Sequence, residues 1–143
     1  MFKRFGVKIE NEGLIMQIRI YYEDTDAGGV VFYANYLKYC ERARSEIFFA
    51  NDSSPHIIEE DGSESFFVVK DLQASYFSPA RLADIIEVKS EVVNIKNASV
   101  VLKQTIYKDE IKLFSMEVKL AFLKNNKPSK IPQHLKEIFL CKI

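Results

Sequence analysis

The second half of the chain holds three segments in which apolar and polar residues alternate, 84–96, 99–108 and 111–124. Only Asn97-Ala98 and Asp109-Glu110 separate them. Such alternation is the period of a strand with one buried face. A two-residue connection can turn the chain back on itself, but it cannot carry the crossover of a dozen or more residues that parallel neighbours require. The three segments are therefore expected to be antiparallel neighbours in one sheet. The last is the most regular, with Phe114, Met116, Val118, Leu120 and Phe122 on a single face.

Two further segments alternate in the same way, 66–77 and 14–22, the latter with Met16, Ile18, Ile20 and Tyr22 set against Gln17, Arg19 and Tyr21. Between them the period changes. From Asn35 to about Ala50, Tyr36, Tyr39, Cys40, Ala43, Ile47 and Ala50 recur at three- and four-residue steps, which predicts an amphipathic helix with Asn35 as its N-cap. Lys38, Glu41, Arg42, Ser45 and Glu46 fill the opposite side. Residues 51–64 carry Asp52, Glu59, Glu60, Asp61 and Glu64 with no Lys or Arg and read as an acidic surface connection, while 132–141 is expected to add a terminal helix. One strand, one long helix and four strands describe an α+β fold, a five-stranded curved antiparallel sheet wrapped around one long central helix, as a single domain over 1–143. Such a sheet leaves long edges open, so a homodimer that continues it, or a homotetramer, is expected.

With 143 residues, folding should bury roughly 70% of the unfolded surface, enough for one core and too little for two ordinary domains. Twenty Lys plus Arg against twenty Asp plus Glu give no overall basic field for nucleic acid. The longest apolar run, from Val30 to Ala34, is far below the roughly 20 residues of a membrane span. Lys8, Glu10, Asn11 and Glu12 interrupt the place where the apolar part of an export signal would lie, so the chain is expected to be cytoplasmic. Cys40 and Cys141, 101 positions apart with no C-x-x-C pair, read as reduced thiols and not as a disulfide framework or a zinc site.

Chemistry has one strong candidate. Asp26 follows a strand, precedes the Gly28-Gly29 pair and lies about one turn from a helix start. Asp24 and Asp26 read equally as turn residues whose oxygens accept backbone N–H groups. A calcium loop fits poorly, because Gly28 and Asn35 stand where an oxygen ligand and a bidentate Glu would be needed. No G-x-S-x-G elbow, phosphate loop, G-x-G-x-x-G or H-E-x-x-H motif occurs. Cys40 lies on the apolar stripe of the helix and reads as a core residue, and His56 and His134 read as surface residues.

Residues 21–46, YYEDTDAGGVVFYANYLKYCERARSE, resemble the signature of hotdog-fold acyl-CoA thioesterases of the 4-hydroxybenzoyl-CoA thioesterase and YbgC-like family. A weaker similarity follows at Asp71, Pro79-Ala80-Arg81 and Asp84. The resemblance implies a hotdog fold and hydrolysis of a short-chain or aromatic acyl-CoA to the free acid and CoA, in a site at a dimer interface. It implies Asp26 as the catalytic carboxylate, and substrate contacts at Gly29, Tyr33, Asn35 and Arg81. Metal and bound cofactor are not expected, coenzyme A being part of the substrate. An ionised Asp can attack the thioester carbonyl or take a proton from water, and free N–H groups near Tyr33 to Asn35 would meet the developing oxyanion. Many YbgC-like members carry His where this chain has Tyr33, and a phenol with a pKa near 10 is a poor base at neutral pH. Tyr33 would then act through its backbone, its hydroxyl or as a wall that favours aromatic acyl groups. Arg81, Lys89, Lys96 and Lys103 are available for the CoA phosphates, and the five lysines over 124–142 would suit phosphate, an acidic acyl carrier protein, an anionic membrane surface or simple solubility. The alternative to hydrolysis is a module that binds acyl-CoA or acyl carrier protein without cleaving it.

Overall fold

A computed structural model describes residues 2–4, 6–10 and 13–140. In chain order they form β1 (Phe2–Arg4), β2 (Val7–Glu10), β3 (Gly13–Arg19), a 3-10 turn at Tyr22–Asp24, α1 (Asn35–Phe49), β4 (His56–Ile58), β5 (Glu64–Tyr76), β6 (Ile85–Ile95), β7 (Ser99–Lys108), β8 (Ile111–Lys124), β9 (Lys127–Pro128) and α2 (Gln133–Leu140). The strands make one antiparallel sheet in the order β1-β2-β3-β6-β7-β8-β5-β4, with β9 on β8.

The five strands expected from alternation are the contiguous middle of this sheet, β3-β6-β7-β8-β5. The described residues hold nine strands and not five, because β1, β2, β4 and β9 are too short to show a period. β4 lies inside the acidic stretch that reads as a loop, where Ile57 and Ile58 pair with Ser65 and Glu64. The two tight connections are hairpins, closing at Ile95 opposite Val100 and at Lys108 opposite Ile111. β5 is not beside β6. Residues 77–84 carry the chain past β8 and β7 before β6 begins, and that crossing brings residues 80–84 next to the loop ahead of α1.

α1 lies on the sheet with Tyr36, Tyr39, Cys40, Ala43, Ile47 and Phe48 buried, while Phe114, Met116, Val118, Leu120 and Phe122 of β8 form the facing floor. α2 closes the core with Leu135 and Phe139, the Phe139 ring standing edge-on to Phe48 and Phe67. Complete burial pushes the Cys40 thiol up to about 12 despite the opposing influence of Arg44, so it is an inert core group. Cys141 lies outside the described residues. One expected core residue is misplaced by the pattern: the chain leaves the sheet after Arg19 and turns, so Tyr22 is 82% exposed and Ile20 is the last buried residue of that face. No described helix is long and apolar enough to cross a membrane.

Candidate active site

The site begins where β3 ends. Ile20 N–H donates to Asp84 O (2.8 Å) and Ala83 N–H to Ile20 O (2.9 Å), which stitches the chain after β3 to the turn before β6. The 3-10 turn follows, and Asp24 holds it: its Oδ2 accepts Tyr21 N–H at 2.7 Å. The Asp24 carbonyl accepts Phe32 N–H (3.0 Å) and the Asn35 side-chain Nδ2 (2.9 Å). Asn35 is thus the first residue of α1 and not its N-cap. The N-cap is Ala34, in a helical conformation and with no side-chain cap bond, because the Asn35 amide is drawn to the loop.

Between these anchors, residues 26–30 form a small hairpin. Asp26 N–H donates to Val30 O (2.9 Å) and Gly29 N–H to Asp26 O (3.0 Å). Gly29 has φ +77°, a conformation that costs other residues about 1–2 kcal/mol. The Asp26 Oδ1 accepts Gly28 N–H at 2.8 Å, so the carboxylate does close a turn. Among the described residues no donor meets Oδ2, and the side chain is exposed in the single chain. The turn-forming bond thus occupies one oxygen of the group and leaves the other without a donor among the described residues.

A Thr25–Val31 bridge extends this hairpin, and the Val30–Arg81 bridge fastens it to the 80–84 turn, as does Val31 N–H donating to Ala80 O (2.9 Å). Arg81 stands beside the hairpin with its side chain exposed and its N–H on Asp84 Oδ2 (2.8 Å). Lys108 Nζ reaches the other Asp84 oxygen at 2.8 Å. Burial alone would raise the pKa of Asp84, but the Lys108 ammonium and the Arg81 amide hold it below the ordinary carboxylate value. Tyr36, read from sequence only as a core aromatic, uses its hydroxyl to accept Ala80 N–H (3.0 Å).

At the start of α1, Asn35 N–H is taken by Phe32 O (2.9 Å), so Asn35 does not supply a free backbone donor. Among the described residues the N–H groups of Tyr33 and Ala34 meet no acceptor. They lie at the positive end of a fifteen-residue helix. Tyr33 is 65% exposed, its ring tilted against Phe32 (4.9 Å) and edge-on to Tyr76 (6.5 Å). The structure therefore gathers Asp26, Gly29, Tyr33 and Arg81 on adjoining loops and Asn35 at the first position of α1, with Gly29 and Asn35 engaged in shaping them. Neither histidine joins them by sequence position: His56 is in β4 and His134 in α2, both exposed. Asp24, Tyr36, Tyr76 and Lys108 also hold these loops, although from sequence each reads as an ordinary turn, core or surface residue.

A curled antiparallel sheet around one helix, with an acidic hairpin fastened to the helix N-terminus, defines the hotdog class of thioesterases. The profile of the thioesterase superfamily matches residues 28–115. An acyl-CoA thioesterase, YbgC, of Helicobacter pylori is 39% identical over 134 residues, covering 86% of this chain and 97% of the relative. The acyl-CoA thioesterase YbgC of Haemophilus influenzae is 37% identical over 132 residues, with 90% and 96% covered. The crystal structure of a probable thioesterase from Bartonella henselae superposes with a TM-score of 0.77 at 29% identity, covering 82% of this chain and 98% of that one. The chain belongs to the thioesterase superfamily and is a thioester hydrolase.

Proposed function

We propose that the chain hydrolyses a short-chain or aromatic acyl-CoA, with the thioester carbonyl bound at the N-terminus of α1 and Asp26 acting from the adjoining hairpin. One observation carries the reading: the loop that bears Asp26 is hydrogen-bonded to the helix start, where the Tyr33 and Ala34 amides have no acceptor among the described residues. Two routes use the same groups. Asp26 Oδ2 attacks the carbonyl carbon, the C–S bond breaks to release CoA thiolate, and water then cleaves the resulting anhydride. Alternatively, Asp26 takes a proton from a water that attacks the carbon itself. In both, negative charge gathers on the carbonyl oxygen, and one well-aimed donor contributes about 3–4 kcal/mol to that state. The carboxylate and the amides supply base or nucleophile and oxyanion donors, so the scheme calls on no metal or bound cofactor. The exposed rings of Phe32, Tyr33 and Tyr76 beside this point favour a flat or short acyl group.

The working unit is read as a homodimer or a homotetramer. β4 covers β5 only opposite residues 64–66, leaving the edge over 67–76 without a partner strand among the described residues, and Val69, Leu72 and Tyr76 are exposed there. A second copy added along that edge would shield this apolar surface.

Asp26→Asn tests the chemistry without unmaking the turn, because an amide oxygen can still accept Gly28 N–H. Thiol release from acetyl-, butyryl-, palmitoyl- and benzoyl-CoA should fall by on the order of a hundredfold or more in kcat, with the melting temperature nearly unchanged. Wild-type turnover by that variant would remove Asp26 from the mechanism.

A further inference from the structure

The free Tyr33 and Ala34 amides just ahead of α1 belong to two rigid peptide planes, and the direction of each N–H is set by what holds the carbonyl on the other side of the same plane. The plane that bears Tyr33 N–H is fixed locally, because its carbonyl, Phe32 O, accepts Asn35 N–H at 2.9 Å. The plane that bears Ala34 N–H has no such local support. Its carbonyl is Tyr33 O, and the helical N–H four residues on, that of Leu37, turns instead to Ala34 O at 3.2 Å. The donor that Tyr33 O receives comes from across the fold: Tyr76 Oη, near the end of β5, donates to it at 2.8 Å.

We infer that Tyr76 is a positioning residue for thioester hydrolysis, its hydroxyl fixing the Tyr33–Ala34 peptide so that Ala34 N–H is aimed at the developing oxyanion. A hydrogen bond to the carbonyl also polarises the peptide and strengthens its N–H as a donor. The phenol is itself held in place. Its ring stands edge-on to Phe114 (5.0 Å), Tyr36 (5.6 Å) and Tyr33 (6.5 Å). Partial burial, with Tyr36 and Tyr33 nearby, raises the pKa of Tyr76 above that of a free phenol, so the hydroxyl remains a donor throughout the range in which thioesters are assayed. The role is distinct from that of Tyr33, whose ring is exposed while its carbonyl is the group being held.

This inference rests on the placement of the carbonyl proposed above, and the experiment separates the two. Tyr76→Phe removes one oxygen and keeps the ring among its neighbours. In a steady-state assay with butyryl- or benzoyl-CoA, kcat should fall about tenfold, part of what deletion of a whole oxyanion donor costs, while KM stays within about twofold. The second measurement is the infrared carbonyl band of a bound ketone analogue of butyryl-CoA in which a methylene replaces the sulfur. Wild-type protein should shift that band to lower frequency, and Tyr76→Phe should shift it less. An unchanged kcat, a loss confined to KM, or an identical band in both proteins overturns the role of Tyr76. Asp26→Asn is measured alongside. If it is inactive while Tyr76→Phe is normal, only the inference about Tyr76 falls; if Asp26→Asn turns over normally, the reading of the site falls with it.

Discussion

Gln104 is the test of what anchors the site helix to the sheet. It is completely buried on β7, under α1. Its Oε1 accepts Arg44 Nη1 at 2.9 Å, and its Nε2 donates to Cys40 O (2.8 Å) and Ser90 Oγ (2.9 Å). Replacement by Leu keeps the volume and deletes all three bonds. The Cys40 carbonyl lies within α1 and keeps the acceptor role an interior helical carbonyl normally has, so its share of the loss is small. Ser90 is only 3% exposed and loses the Gln104 amide. Arg44 loses a neutral acceptor where burial already pulls its pKa below the usual arginine value. A buried neutral group left unpaired costs about 1–3 kcal/mol, and a hydrogen bond to a charged group is worth about 1.5–3. Gln104→Leu should therefore lower stability by about 3–5 kcal/mol, a large part of the roughly 5–15 of a whole domain. Urea unfolding followed by circular dichroism reads this as a shift in midpoint at constant slope. The sharper check is the double variant Arg44→Met with Gln104→Leu. Removing the charge together with its acceptor leaves nothing buried and unpaired between them, so the double variant should be more stable than Gln104→Leu alone by about 1 kcal/mol or more. A single variant within about 1 kcal/mol of wild type, or a double variant equal to the sum of the two singles, would refute the claim that this network clamps α1.

Two further expectations concern the loops. Asp84 has a depressed pKa in the folded chain, so its stabilising contribution is fully present above the ordinary carboxylate pKa near 4 and is lost as pH falls through the lower folded value. Asp84→Asn should therefore lower the melting temperature at pH 7, by the equivalent of about 1 kcal/mol given that its partner Lys108 is partly exposed, and the gap from wild type should close below about pH 4. An equal gap at pH 3 and pH 7 would show that the charge is not responsible. The two hairpin glycines should separate stability from turnover. A Cβ at Gly29 meets nothing within 4 Å but must adopt φ +77°, so Gly29→Ala should cost about 1 kcal/mol in unfolding free energy. A Cβ at Gly28 would stand 3.2 Å from Asp26 Oδ1, so Gly28→Ala should lower kcat more than it lowers the melting temperature. The reverse pattern in the pair would contradict the assignment of Gly28 to the carboxylate.

Local pattern and connection length explain which parts of the fold were legible. β8 was readable because five residues, Phe114 to Phe122, repeat one face, and the hairpins flanking β7 were readable because a two-residue gap leaves the chain only one way to turn. β2 and β4 were missed because a strand of three or four residues holds too few repeats to stand out, and β4 is surrounded by acids. In the hairpin ahead of α1, the turn at Asp26 and Gly29 is legible because a tight turn restricts which residues can form it. Asn35 was placed correctly at the helix start but given the wrong bond, since the same amide that could cap a helix can reach the Asp24 carbonyl instead.

The groups that escaped notice share one cause. Residues 77–84 are neither short enough to force a hairpin nor patterned enough to declare a crossover, so nothing local says that β5 lies on the far side of β8 from β6. That choice of topology brings the Tyr76 hydroxyl to Tyr33 O, Ala80 to Val31 and Tyr36, and the Asp84 carbonyl to Ile20. A β5 placed next to β6 would preserve every alternation in the sequence and yet separate all of these contacts. The Asp26 turn is marked by its neighbours in sequence, whereas the contacts that hold the Tyr33–Ala34 peptide depend on the one long connection whose length leaves the strand order open.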